Sequence, residues 1–263
     1  MNINYKGCLT LAFFASSGLY TPLVLADESK SPDHVSVGAS VINTPRYSGA
    51  DDTTTIFAPV IDIREGFIIA NFEKGIGYEI DLPAGLYFQN AFGYSAGRKD
   101  EDKDMQYGSD KLKGMGDIKG TMNTSFAFGW HLNDRLSAEI NATMPLGESY
   151  GVKYSGSLTG ILLQTDQDNI TLRLSALFGD ERYNETYYGV NRKQSDDSGY
   201  AQFKPGGGMY GQAAALSWTH SFSDHWSTTL AGNYTHLNNK VSDSPIVFKD
   251  GGFDAIAAVS YTF

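Results

Sequence analysis

Phe253-Asp254-Ala255-Ile256-Ala257-Ala258-Val259-Ser260-Tyr261-Thr262-Phe263 alternates along its whole length. Phe253, Ala255, Ala257, Val259, Tyr261 and Phe263 fall on one face, because successive side chains of a strand point to opposite sides of the sheet. A strand in a closed membrane barrel needs one apolar side for hydrocarbon and one side for a polar lumen. The stretch therefore reads as a lipid-facing strand that ends in aromatics.

Working back from it, one unit recurs: an alternating run rich in aromatics, Thr, Val and Gly, then a turn, then another run. This predicts about twelve strands, over 34–43, 54–63, 66–73, 76–81, 84–97, 115–131, 134–146, 154–165, 169–179, 208–222, 225–239 and 251–263. Ile118, Met122, Phe126, Phe128 and Trp130 are expected to face lipid, opposed by Asp117, Lys119, Thr121, Asn123 and Ser125. Leu136, Ala138, Ile140, Ala142 and Met144 repeat the outward face against Arg135, Ser137, Glu139, Asn141 and Thr143. Ile170, Leu172, Leu174, Ala176 and Phe178 follow, opposed by Thr171, Arg173 and Ser175, and then Tyr210, Ala214, Leu216, Trp218 and Phe222.

A soluble sandwich would also alternate, so the connectors decide. Short turns at Arg64-Glu65, Asn133-Asp134, 165–168 and Ser223-Asp224 alternate with longer polar loops at 44–53, 98–114, 147–153, 180–207 and 240–250. The short 74–75 connection departs from the pattern. Short turns on one rim and long loops on the other define a transmembrane antiparallel up-and-down β-barrel of the outer membrane, with the turns periplasmic and the loops extracellular. Trp130, Trp218, Phe222, Trp226, Tyr261 and Phe263 then gather near the turn rim, as an aromatic belt at the headgroup level would.

The N-terminus supplies a matching address. Lys6 is a short basic segment, Leu9 to Leu25 is mostly apolar, and Val24-Leu25-Ala26 has the small residues a signal peptidase needs. The expected organisation is a signal peptide over 1–26 cleaved between Ala26 and Asp27, a periplasmic tail over 27–33, and the barrel over 34–263. Cys8, the single cysteine, leaves with the signal, which removes disulfides and thiolate metal sites. A formal charge of −10 offers no basic face for phosphate backbones, so no nucleic-acid partner is expected. Outer-membrane lipid and lipopolysaccharide are the expected surroundings.

No enzyme motif emerges, and no catalytic residue, cofactor or metal site is assigned. His34, His131, His220 and His225 map to the turn rim. If residues across the 222–226 turn pair with numbers summing to about 448, His220 faces Thr228 and His236 faces Gln212, with no evident Ser nucleophile or acidic orienter. Asp117, Lys119, Arg135, Glu139 and Arg173 are expected to form a lumen charge network, either a salt-bridge lattice in a plugged barrel or the constriction of a pore. Arg98 to Asp104 reads as a solvated charge run, without the ligand spacing of a calcium loop. Gly114-Met115-Gly116 and Gly206-Gly207-Gly208 read as turn glycines, since no helix follows to make a phosphate cradle.

Two resemblances add to this reading. The chain's end resembles the last strand of bacterial outer-membrane barrels, which implies that Phe263, with Tyr261, is what the barrel-assembly machinery recognises. The stretch from Gly38 through Thr44-Pro45-Arg46-Tyr47-Ser48-Gly49-Ala50-Asp51, then Leu112-Lys113-Gly114-Met115-Gly116-Asp117-Ile118, and Tyr187-Tyr188-Gly189-Val190 with Ser198-Gly199-Tyr200 resemble motifs of the MipA/OmpV outer-membrane family. That resemblance implies a non-enzymatic barrel acting as a scaffold for a murein transglycosylase and a murein synthase. It leaves two alternatives, a surface-loop adhesin using Tyr183, Tyr187, Tyr188 and Tyr200, or a small-solute channel.

Overall fold

A computed structural model describes residues 33–263 except 73 and 104. Residues 1–32, with the expected signal peptide and its Ala26/Asp27 cleavage, lie outside the described residues. Within them twelve strands close an antiparallel barrel in which each strand pairs with its sequence neighbours and β12 returns to β1. They are β1 (His34–Pro45), β2 (Thr53–Glu65), β3 (Ile68–Asn71), β4 (Gly75–Asp81), β5 (Leu86–Ser95) and β6 (Thr121–Asn133), then β7 (Leu136–Pro145), β8 (Lys153–Gln164), β9 (Asp168–Gly179), β10 (Gly208–Ser221), β11 (Trp226–Leu237) and β12 (Gly251–Thr262).

The alternation becomes the wall. On β12, Phe253 and Val259 are exposed, as is Phe263 just beyond its end, whereas Asp254, Ile256, Ala258 and Ser260 are buried on the inside. Met122, Phe126, Phe128 and Trp130 of β6 and Leu136 and Ile140 of β7 lie on the same outer surface. Gln212 pairs with His236 and His220 with Thr228, the register the 222–226 turn predicts. The wall closes where Ser36 to Asn43 of β1 pair with Ala255 to Thr262 of β12.

Three departures from strict alternation have local causes. The β9–β10 register shifts between Met209 and Gly211, and this bulge turns Tyr210 inward, where it is 1% exposed rather than facing lipid. β6 begins at Thr121, not 115, because Met115 and Ile118 pack among the loops; Ile118 is buried in a bridge to Arg98 and is not on the lipid face. β3 and β4 form a short hairpin that pairs with Asp62–Glu65 of β2 and Tyr87–Phe92 of β5, so on that side no described strand pairs with residues 53–60 of β2. Phe72 donates its N–H to Ile61 O at 3.2 Å, so every second residue from Ile61 presents backbone groups to this edge. Pro59 is one of them, and an open edge is where a residue without an N–H costs least.

The long loops fold into a cap. Loop 180–207 holds α1 (Glu181–Tyr188) and α2 (Arg192–Ser198), and α3 (Asn239–Ser242) follows β11. Asp180 starts α1 by accepting the Tyr183 N–H at 2.7 Å, and Asn191 with Gln194 makes a capping box on α2. Tyr47, Ala50, Leu112, Met115, Val190 and Ile246 bring four loops into one apolar cluster. A second cluster, Leu177, Tyr183, Tyr188, Tyr210, Leu237 and Val241, packs α1 and α3 onto the loop ends of β9, β10 and β11. The loop side of the barrel thus carries a packed cap.

Candidate interaction surfaces and lumen

The turn rim collects exposed rings. Trp130, Trp218, Phe222, Trp226 and Phe263 all project from the outer surface there, with Phe67 beside them. Their polar ends are held: Trp130 Nε1 donates to Ala84 O at 3.1 Å and Trp218 Nε1 to Asp168 Oδ1 at 2.8 Å. Tyr261 stacks on His225 at 5.3 Å and meets Trp226 and Phe263 edge-on. His225 Nδ1 lies 2.9 Å from Thr262 O, tying the last turn to the chain's end.

His220 does have an acidic partner, contrary to the sequence reading, because its Nδ1 lies 2.8 Å from Asp168 Oδ1. His34 likewise meets Asp62 at 3.1 Å. Pairing by register with Thr228 says nothing about a residue on the neighbouring strand, and Asp168 reaches His220 from β9. Asp168 also accepts from Trp218, so it ties ring to rim.

Inside, the expected charge network is only partly assembled. Glu139 and Arg173 point inward, Glu139 accepting from Tyr87 Oη at 2.8 Å and Arg173 Nε donating to Thr159 Oγ1 at 3.1 Å. Asp117 and Lys119 are not lumen groups: both precede β6 in the loop region, where Asp117 pairs with Lys99 at 2.5 Å. Arg135 is exposed at the turn between β6 and β7, its N–H capped by Asn133 Oδ1 at 2.9 Å. An inner pair outside the expected set joins Arg64 Nη2 to Glu79 Oε1 at 2.7 Å, nearly buried between β2 and β4. Their alternation with outward residues was the available signal, but the short β3–β4 hairpin obscured it.

Two halves of the lumen differ. Along β1, β2 and β12 the interior is closely packed, with Ile42, Ala58 and Ile256 clustered against Phe72, and with Asp254 wholly buried between Thr44 Oγ1 (2.6 Å) and Asn233 Nδ2 (2.9 Å). Along β7, β8 and β9 the inward Ser137, Asn141, Ser155, Ser157 and Ser175 are half-exposed, which leaves room for water.

In the cap, Tyr183 and Tyr188 are buried and Tyr187 is half-buried, so they are structural groups rather than surface contacts. Burial pushes the Tyr187 phenol up to about 12, against the pull of Arg98, and raises Tyr183 and Tyr188 as well. Arg98 is not solvated either: it is 4% exposed beneath α1, and burial lowers its pKa from the ordinary guanidinium value. Among the described residues of its run, Lys99, Glu101 and Lys103 are in exposed ion pairs. Gly97, at φ 79, was the sequence signal that the chain turns inward at this point.

A twelve-stranded barrel with an apolar outer wall, an aromatic turn rim and a packed cap of loops is an outer-membrane β-barrel protein. The family model for the MltA-interacting protein MipA matches residues 37–263, and the chain belongs to that family. The Escherichia coli K12 MltA-interacting protein is 32% identical over 94 residues, covering 36% of this chain and 38% of that protein. A putative outer membrane protein, YiaT, of the same strain is 24% identical over 101 residues, or 38% of this chain and 41% of that one. The matched stretch thus spans about two fifths of either relative. Among solved structures, an outer membrane channel from Pseudomonas putida F1 aligns over 91% of this chain and 100% of its own at 11% identity and a TM-score of 0.52. The translocator domain of the autotransporter NalP from Neisseria meningitidis aligns over 90% of each chain at 10% identity, TM-score 0.51. At such identities these two share the fold alone.

Proposed function

We propose that this protein is a non-enzymatic scaffold that holds a murein transglycosylase, and through it a murein synthase, at the inner face of the outer membrane. Family membership carries the reading, together with the name of the Escherichia coli relative, which describes an interaction with MltA. The turn rim is periplasmic on this reading, and it offers Phe67, Phe222 and Phe263 as exposed anchors beside the acidic turn residues Asp166 and Asp224. Turns alone are small against the about 800 Å² that a stable partner buries on each side, so the contact must be dense in aromatic anchors or include residues 27–32. The barrel-assembly machinery and lipopolysaccharide remain the partners the location implies.

Binding of a purified murein lytic transglycosylase to the barrel in detergent is the test. Asp166→Lys with Asp224→Lys and removal of residues 27–32 should weaken it by at least about tenfold, since both aspartates are exposed and outside the ladder. No binding by the parent protein, or equal binding by the variant, refutes the scaffold. Orientation is checked separately with Glu101→Cys and Asp224→Cys, both exposed in a chain whose single cysteine lies at position 8. An impermeant thiol reagent on intact cells should label only the first.

Passage of a small solute is a second reading, supported by the half-exposed polar residues of β7–β9. The packed tyrosines of the cap, above the loop ends of β9 to β11, oppose it. Single-channel conductance should then be negligible for the parent and appear once 180–207 is replaced by a short Gly-Ser turn; conductance by the parent itself would favour the channel.

A further inference from the structure

Three arginines meet at a cleft of about 700 Å³ on the loop cap: Arg98 from the segment after β5, Arg182 on α1 and Arg192 on α2. The cleft is within the roughly 300–1,000 Å³ typical of small-molecule sites. None of the three is in an ion pair with a described carboxylate, in a chain with 30 acidic residues against 20 basic ones. The two acidic residues at the cleft are already engaged, Asp117 by Lys99 at 2.5 Å and Glu185 by Lys204 at 3.2 Å. The surplus charge in the cleft is therefore cationic.

Arg98 makes this more than a surface cluster. It is 4% exposed, and its Nη1 donates to Tyr187 O at 3.0 Å, but its buried Nε has no acceptor. A buried guanidinium whose donors outnumber its acceptors costs free energy unless an anion completes it. The planar fork of an arginine suits the oxygens of a phosphate or carboxylate. Tyr47 faces the guanidinium at 5.8 Å, which positions it without neutralising it. The cleft is larger than one phosphate, and Tyr150 and Phe203 add ring surface to its wall.

We propose that this cleft binds a sugar carrying a phosphate or carboxylate, with Arg98 as the buried anchor for the anionic group and Arg182 and Arg192 completing the cationic wall. The site is on the opposite rim from the scaffold surface and does not depend on that reading.

The test uses the full barrel in detergent micelles, titrated with glucose 1-phosphate, glucuronate, inorganic phosphate and neutral glucose. Glucose 1-phosphate and glucuronate should bind, glucose should bind at least about tenfold more weakly, and raised salt should weaken the anions only. Inorganic phosphate should bind more weakly than the sugar phosphate; equal affinity would overturn the sugar part of the proposal. Arg98→Met should abolish binding. Because that change could loosen the cap, Arg182→Gln with Arg192→Gln, both on exposed positions, is the second variant, expected to lose at least about tenfold with the heat-modifiable barrel intact. Wild-type affinity in this double variant, or no binding of either anionic sugar by the parent, overturns the site. Reconstitution into vesicles with and without lipopolysaccharide separates the sources. A lipopolysaccharide sugar would compete with the soluble probe and lower its binding in the first vesicles, whereas a free sugar acid would bind equally in both.

Discussion

Gly38→Val should prevent closure of the barrel, lowering the heat-modifiable species by at least about tenfold while Gly156→Val stays at the parent level. Gly38 sits at the seam, opposite Ser260 in the β1–β12 pairing. A Cβ at Gly38 would lie 2.0 Å from Val259 O and 2.8 Å from Ser260 Cα, both backbone atoms that cannot swing aside. The ladder must separate there or the strand must shift. Overpacking of this kind typically costs about 1–3 kcal/mol and more where backbone must move. At the seam the cost falls on the β1–β12 pairing that closes the barrel. Gly156, on β8, has nothing within 4 Å of where its Cβ would be, which makes it the control for glycine loss as such. Semi-native electrophoresis of both refolded variants reads the result, and a normal closed barrel from Gly38→Val would mean that the seam is more compliant than its spacing indicates.

What the chain discloses before folding is what depends on alternation. The outward faces of β6, β7, β9 and β12 and the pairing of Gln212 with His236 follow from period two and a tight turn, both local properties. Tyr210 escaped because a bulge of one residue reverses every face beyond it, and nothing in Gly208-Met209-Tyr210-Gly211 distinguishes a bulge from an ordinary strand start. Asp117, Lys119 and Ile118 were assigned to a strand that begins later, since apolar residues that pack beneath loops alternate as readily as those that face lipid.

The cap was the least legible part, for a different reason. Its cohesion comes from residues distant in sequence: Tyr47 donates to Ile246 O at 3.0 Å, Ser48 meets the Tyr188 hydroxyl at 2.8 Å, and Ser244 Oγ donates to Tyr188 O at 2.6 Å. A polar composition with short helical stretches gives no period to read, so loop 180–207 reads as a surface although Tyr183 and Tyr188 are core. The same holds for Arg98, whose burial depends on α1 lying over it, 89 residues away in the chain. The acidic partner of His220 was hidden likewise, because it stands on the neighbouring strand.

Deleting Phe263 should lower the amount of barrel in the outer membrane severalfold in cells yet barely change the stability of the barrel refolded in detergent. The two measurements separate recognition from structure. In the folded protein Phe263 contributes little: its N–H donates to Val35 O at 3.0 Å, its ring meets Tyr261 edge-on at 5.0 Å, and the residue is 75% exposed. One net hydrogen bond is worth about 0.5–1.5 kcal/mol and an aromatic pair a similar amount. Against a seam of eight residue pairs between β1 and β12, that loss leaves the closed state intact. A large fall in cellular level must then arise before closure, at the step where the end of the chain is recognised, which is the role its resemblance to other outer-membrane barrels implies. His225 and Thr262 hold the rim together without the last residue, so the turn itself should survive. If the refolded variant also fails to close, Phe263 is a structural residue of the seam; if cells accumulate the truncated barrel at the parent level, Phe263 is not the assembly signal, and Tyr261 with Trp226 becomes the pair to change next.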